Sequence, residues 1–188
     1  MPAAIFLDRD GVIIENRADY IRSWEDVKIY PQALEALAKL RNSQYKVFIV
    51  TNQSPIGRGI ITAEKVHEIN QRLLVEIRSA GGDIDEIYLC PHDPDAGCDC
   101  RKPKPGLLFQ AANDYKIDLE NSVLIGDALT DLQAGLDAGL KRVAMVRTGR
   151  GAEQELTPAA AKMVPFVTYD TLQQAIDELI LKKENAPE

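Results

Sequence analysis

The stretch Ala3-Ala4-Ile5-Phe6-Leu7-Asp8-Arg9-Asp10-Gly11 runs an unbroken apolar segment straight into two acids and a glycine. The apolar positions are consecutive rather than alternating, which marks a strand buried on both faces, as in a parallel sheet. Short apolar runs at 46–50, 86–89, 122–125 and 142–146 have the same character. Helical patterns lie between them. One starts at Pro31 with Leu34, Leu37 and Leu40 on one stripe; another follows the N-cap candidate Thr62 and repeats Val66, Ile69, Leu73 and Ile77 before Gly81-Gly82. Further helices are predicted over about 106–115, 130–138 and 171–183, with a frayed tail at 184–188. Strand-helix alternation predicts an α/β fold: a Rossmann-like, mostly parallel sheet with helices on both faces, formed by one domain over 1–188.

In an open α/β sheet, ligands bind outside the carboxyl ends of the strands. Asp8 follows the first predicted strand, Thr51-Asn52 the second and Asp127 the fourth, so residues distant in sequence converge on one crevice. Asp8 and Asp10 share a face if the backbone stays extended. Alternatively Asp10-Gly11 is a hairpin turn with Val12-Ile13-Ile14 as the returning strand. Asp127 at another strand end favours the first reading, because gathered carboxylates suit Mg²⁺. Asp131, one helical turn later, is either a supporting acid or a helix cap, whereas Asp95 and Asp99 are expected in solvent.

The 188 residues carry a formal net charge of −7, with 45 % hydrophobic and 27 % charged residues. This composition suits a soluble globular protein and argues against a nucleic-acid or anionic-membrane surface, which needs clustered Lys and Arg. No apolar run approaches membrane-spanning length. The first residues lack the basic and apolar segments of a signal peptide. The expected setting is the cytoplasm, with a small-molecule partner and a monomeric state.

All three cysteines fall within eleven positions, as Cys90-Pro91-His92 and Cys98-Asp99-Cys100. Three thiolates and an imidazole match a closed tetrahedral Zn²⁺ site, structural rather than catalytic. A Cys98–Cys100 disulfide is disfavoured by ring strain and a reducing compartment. The other histidine, His67, reads as a surface residue. A zinc-pinned loop over 90–100 would hold the adjoining Arg101-Lys102 over the crevice.

Asp8-Arg9-Asp10-Gly11, Thr51-Asn52-Gln53, Arg101-Lys102-Pro103 and Gly126-Asp127 with Asp131 resemble, in order, the four motifs of haloacid-dehalogenase-superfamily phosphatases. The resemblance spans about residues 3–149. It implies that Asp8 is a nucleophile forming an aspartyl-phosphate and that Asp10 is the general acid and base. It further implies Mg²⁺ on Asp8, the Asp10 carbonyl and Asp127, with Thr51 and Lys102 binding the transferring phosphoryl group.

Within that superfamily the zinc loop resembles two bacterial groups, the heptose 1,7-bisphosphate 7-phosphatases and the histidinol-phosphate phosphatases. Thr51-Asn52-Gln53-Ser54 with Arg58-Gly59, Arg101-Lys102-Pro103-Lys104-Pro105-Gly106 and Val146-Arg147-Thr148-Gly149 lean to the heptose group. A phosphosugar bisphosphate is therefore the implied substrate. Arg101 is the first choice for a second phosphate contact, followed by Arg58 and Arg147, while Asn16 and Tyr20 line the entrance. Ala128 and Pro55 depart from that group, which often has Lys and Gly there. Two other readings are a nucleic-acid 3′-phosphatase and a zinc-stabilised binding module without catalysis. The interval between Asp8 and Thr51, and that between Thr51 and Lys102, leave no room for a large cap domain.

Overall fold

The structure, a computed structural model, describes residues 1–163 and 165–182. Six parallel strands form one sheet: β1 (Ala4–Leu7), β2 (Lys46–Asn52), β3 (Glu86–Cys90), β4 (Val123–Gly126), β5 (Arg142–Val146) and β6 (Val167–Tyr169). Their order is β3-β2-β1-β4-β5-β6, so the chain builds outward from β1 in one direction and then restarts on its other side. That reversal between β1 and β4 opens a crevice at their carboxyl ends. The expected parallel α/β sheet is thus observed.

Alternate strand residues feed two separate cores. Ile5, Leu7, Ile49, Val123 and Ile125 pack with α1 (Pro31–Leu40), α3 (Ala63–Ser79) and α7 (Leu172–Ile176). Ala4, Phe6, Phe48, Val50 and Leu124 face α4 (Gly106–Tyr115) and α5 (Leu129–Asp137). This two-sided burial is why the strand runs do not alternate. Phe6 and Phe48 stack with ring centroids 5.6 Å apart, and Tyr115 meets Phe48 edge-on at 4.9 Å.

The helix starts follow their caps. Pro31 occupies the first turn of α1, and Thr62 Oγ1 accepts from Lys65 N at 3.2 Å at the head of α3. Two one-turn helices, α2 (Ser54–Gly57) and α6 (Gly151–Gln154), escaped the periodicity reading because one turn cannot show a stripe. Strand β6 escaped it too: three residues behind Pro165, the first of them exposed, make a weak pattern. The helix expected over 171–183 is α7 followed by a π-helical segment Asp177–Leu181. Lys183 and the tail expected to fray at 184–188 lie outside the described residues. No described helix is long and apolar enough to cross a membrane.

The hairpin reading of Asp8–Ile14 does not hold. After Leu7 the chain turns tightly: Ile13 N and Ile14 N both donate to the Arg9 carbonyl, and Gly11 N donates to Ile14 O at 2.7 Å. Val12, Ile13 and Ile14 are buried in the core rather than paired as a returning strand.

Candidate active site

Strand β1 ends at the reversal point, and Asp8 N donates to Ile125 O of β4 at 3.1 Å, which seats its carboxylate between the two central strands. Asp8 is buried, and its Oδ1 takes the Lys102 ammonium at 2.6 Å. The same ammonium reaches Asp131 Oδ1 at 2.6 Å and Val50 O at 2.7 Å. Three acceptors around three N–H groups fully satisfy a buried cation. Lys102 is delivered by a loop, and Asn52 clamps that loop at the backbone: its Nδ2 donates to Lys102 O at 3.0 Å and its Oδ1 accepts from Lys102 N at 3.1 Å. Asn52, expected near substrate, therefore holds Lys102 in place while lining the crevice.

Asp131 serves both roles that the sequence left open. Its Oδ2 accepts from Ala128 N at 3.1 Å, capping α5, while Oδ1 pairs with Lys102. Gly126 makes room for it, since a Cβ there would overlap the Asp131 side chain.

Asp10 sits at the crevice wall, held by Arg9 Nε at 3.0 Å and Gln53 Nε2 at 3.0 Å. Gln53 also bonds Thr51 Oγ1 at 2.9 Å, which joins the end of β2 to the acid. Asp127 is fully buried at the end of β4 and accepts from Arg150 N at 2.9 Å, with the Arg150 guanidinium 3.2 Å from its Oδ1. Gly11 and Gly149, both with positive φ, press their backbones against Asp127; a side chain at either would overlap it.

Carboxylate oxygens of Asp8, Asp127 and Asp131 lie within 4.8 Å of one another. Burial, reinforced by Asp131, Asp127 and Asp10, pushes the Asp8 carboxyl up to about 8 despite Lys102. Burial likewise raises Asp127 above its ordinary range, against the pull of Arg150. Buried carboxylates that resist ionising mark a site with room for more positive charge. Hard oxygen donors at this separation fit a divalent ion such as Mg²⁺.

The crevice is about 400 Å³ and is also lined by Asn16, Tyr20, Ser54 and Arg101, as expected. Arg101 Nη1 is buried without a hydrogen-bond partner. Arg58 stands beside the crevice instead, its Nη1 on Tyr20 Oη at 2.9 Å and its Nε on Asp93 Oδ2 at 3.0 Å. Arg147 is not brought to the crevice at all: Glu155 and Asp170 each hold it at 2.7 Å on the surface. Its place is taken by Arg150 and by Arg17, which do line the crevice. Arg150 lies one residue beyond the segment Val146–Gly149 read from the sequence, and only the turn after β5 carries it back over Asp127. Arg9 and Asn70, which meet at 2.8 Å, are likewise invisible in sequence as a pair sixty-one positions apart.

The second cluster lies beyond β3. Cys90 Sγ is 3.6 Å from Cys98 Sγ and 3.5 Å from His92 Nδ1; Cys100 Sγ is 3.6 Å from Cys98 Sγ and 3.2 Å from His92 Nδ1. Zn–S and Zn–N bonds of about 2.3 and 2.0 Å give tetrahedral edges of roughly 3.5–3.8 Å, so the four ligand atoms fit one zinc ion. The cysteines are free thiols, and His67 is exposed on α3. Asp95 and Asp99 are exposed, as expected.

The comparisons with known proteins fit this geometry. A HAD-hydrolase-like family model matches residues 99–175. A D-glycero-beta-D-manno-heptose-1,7-bisphosphate 7-phosphatase of Pseudomonas putida is 40% identical over 178 residues, 94% of this chain and 98% of the relative. A D-glycero-alpha-D-manno-heptose-1,7-bisphosphate 7-phosphatase of Photorhabdus laumondii is 37% identical over 151 residues, 77% of this chain and 82% of the relative. The crystal structure of the D,D-heptose 1,7-bisphosphate phosphatase of B. bronchiseptica, complexed with magnesium and phosphate, superposes with a TM-score of 0.88 at 32% identity over 96% of this chain and 99% of that one. Fold, motif order and near full-length identity agree, and the chain belongs to the haloacid-dehalogenase-like phosphatases of the heptose-1,7-bisphosphate 7-phosphatase family.

Proposed function

We propose that this enzyme removes the 7-phosphate of D-glycero-D-manno-heptose 1,7-bisphosphate, with Mg²⁺ as cofactor and Zn²⁺ as a structural ion. The observation that carries the reading is the buried Asp8–Lys102–Asp131 cluster at the strand ends, with Asp10 on the same wall. A carboxylate nucleophile needs a cation to accept an anionic ester beside it, and Lys102 lies 2.6 Å away to do this.

An Asp8 carboxylate oxygen attacks phosphorus, and the bond from phosphorus to the sugar oxygen breaks as Asp10 gives that oxygen its proton. Asp10, now ionised, takes a proton from water, whose oxygen attacks the aspartyl-phosphate. The phosphorus–Asp8 bond breaks, and inorganic phosphate leaves. Lys102 and Thr51 stabilise the transferring oxygens. Asp8, Asp127 and the Asp10 carbonyl would hold Mg²⁺, which when bound offsets the charge of the phosphoryl group and the gathered carboxylates. Arg101, which lines the same crevice, would receive the second phosphate. Cys90, His92, Cys98 and Cys100 would hold Zn²⁺ and so fix the loop that carries Arg101 and Lys102.

The test is a phosphate-release panel with Mg²⁺ on both anomers of the heptose bisphosphate, histidinol phosphate and fructose bisphosphate, with phosphorus NMR of the product. A heptose 1-phosphate product formed faster than any other is expected. A preference for histidinol phosphate would overturn the substrate.

A further inference from the structure

We propose that Asn70, a residue of α3 that does not line the crevice, is a positioning residue for Asp10 and acts through the buried Arg9. The inference rests on Asp10 being the proton donor to the leaving oxygen. Arg9 is 2% exposed and is the largest fully buried side chain in the described residues. Burying a guanidinium is costly unless its N–H groups are met. Two of its nitrogens bond Asp10, Nε to Oδ2 at 3.0 Å and Nη2 to Oδ1 at 3.2 Å. The remaining nitrogen, Nη1, donates to Asn70 Oδ1 at 2.8 Å.

Asn70 is anomalous in its own helix. The buried residues of α3 are Val66, Ile69, Asn70, Leu73, Leu74 and Ile77, and Asn70 is the polar one among them. Asparagine is a poor helix former, and a buried amide without a partner is unfavourable. Its Oδ1 meets Arg9, so the helix supplies one fixed acceptor to a buried cation. With Nη1 anchored, the planar guanidinium can present Nε and Nη2 in only one plane, and that plane sets the Asp10 carboxylate.

Asp10 is also loaded asymmetrically. Oδ2 takes Arg9 Nε and Gln53 Nε2, each at 3.0 Å, and Thr51 Oγ1 at 3.5 Å, whereas Oδ1 takes Arg9 Nη2 at 3.2 Å. Donors concentrated on Oδ2 assign the carboxylate one rotation about its Cβ–Cγ bond. If the Arg9 plane is released, that assignment is lost, and misplacement of about 1 Å costs on the order of 100-fold in a positioned reaction.

The readout is the leaving group. An alkyl phosphate needs protonation of its departing oxygen, whereas p-nitrophenolate leaves without it. The quantity kcat/KM covers steps only through the first irreversible one, so hydrolysis of the aspartyl-phosphate does not enter. Wild type, Asn70→Ala, Asn70→Leu and Asn70→Asp are measured on the heptose bisphosphate and on p-nitrophenyl phosphate, with thermal melts of each. Asn70→Leu keeps the branched shape and Asn70→Asp keeps the acceptor.

We expect the Ala and Leu variants to lose about 10- to 100-fold on the sugar phosphate and less than about threefold on the aryl ester, with Asn70→Asp restoring the ratio. Equal losses on both substrates, or no loss on either, overturn the positioning role. Should Asn70→Ala fail to fold, the Leu and Asp variants decide it. A wild type that releases phosphate from neither ester overturns the function itself, and the positioning role with it.

Discussion

Two clusters of ionisable side chains flank Arg101 and Lys102, and they hold charge in opposite ways. In the crevice, Asp8, Asp127 and Asp131 are buried, and each is met by a cation or a backbone N–H. In the cysteine lobe, His92 is exposed and Cys98 and Cys100 are only part-buried, and the four ligand atoms contact chiefly one another. The crevice is held by the sheet, whose strands are packed on both faces by apolar cores. The lobe has one short 3₁₀ turn, Pro94–Ala96, and little core of its own, so its order is expected to come from the ion. Lys102 belongs to both, with its backbone in the lobe's exit and its ammonium under the sheet. In the proposed mechanism the buried charge cluster does the chemistry, and a loop ordered by zinc would supply it with cations.

Substitutions on either side break this comparison in graded fashion. Asp8→Asn should abolish phosphate release, by at least about 10,000-fold in kcat, while leaving the zinc content intact. A variant with wild-type turnover would refute Asp8 as the nucleophile. Lys102→Met strands two buried carboxylates. Its kcat/KM should fall about 100- to 1,000-fold, and denaturant titration of the metal-free protein should show a loss of about 3 kcal/mol.

Arg101→Met sharpens the contrast between the two cations. It should cost about 10- to 100-fold in kcat/KM on the bisphosphate and much less on a monophosphate, because only the former has a second phosphate to meet. Equal losses on both would place Arg101 at the reacting phosphate. Cys98→Ser should release zinc and raise KM about tenfold with a smaller fall in kcat, since the loop loses preorganisation while Asp8 and Asp10 stay in place. Normal kinetics in protein verified by atomic absorption to be zinc-free would show that the lobe stands without its ion. Arg147→Ala should change kcat/KM by less than about twofold, because Glu155 and Asp170 already hold that side chain on the surface.

The parts legible in advance were those encoded by local pattern. Two-sided burial imposes consecutive apolar residues, so β1 to β5 and their parallel pairing could be read along the chain. Strand ends followed by Asp8, Thr51 and Asp127 placed the crevice, since a parallel sheet directs its carboxyl ends to one edge. The spacing of Cys90, His92, Cys98 and Cys100 pointed to one cluster, and their ligand atoms gather within 4.8 Å of one another. Elements of one turn or three residues, such as α2, α6 and β6, left no period to detect.

Side-chain direction was the other limit. Arg58, Arg147 and Arg150 have the same chemistry in sequence, yet the first reaches Tyr20 and Asp93, the second stays on the surface, and the third returns to Asp127. Likewise Asp131 is both cap and counterion because α5 starts over the same crevice that Lys102 enters. By itself the sequence determined five of the six strands, the acids at the sheet's edge and the gathering of cysteines and histidine, because these follow from residue type and spacing. Only the tertiary structure decided which cations face them and how Asn70 reaches Arg9, because contacts across sixty-one residues depend on how whole helices pack.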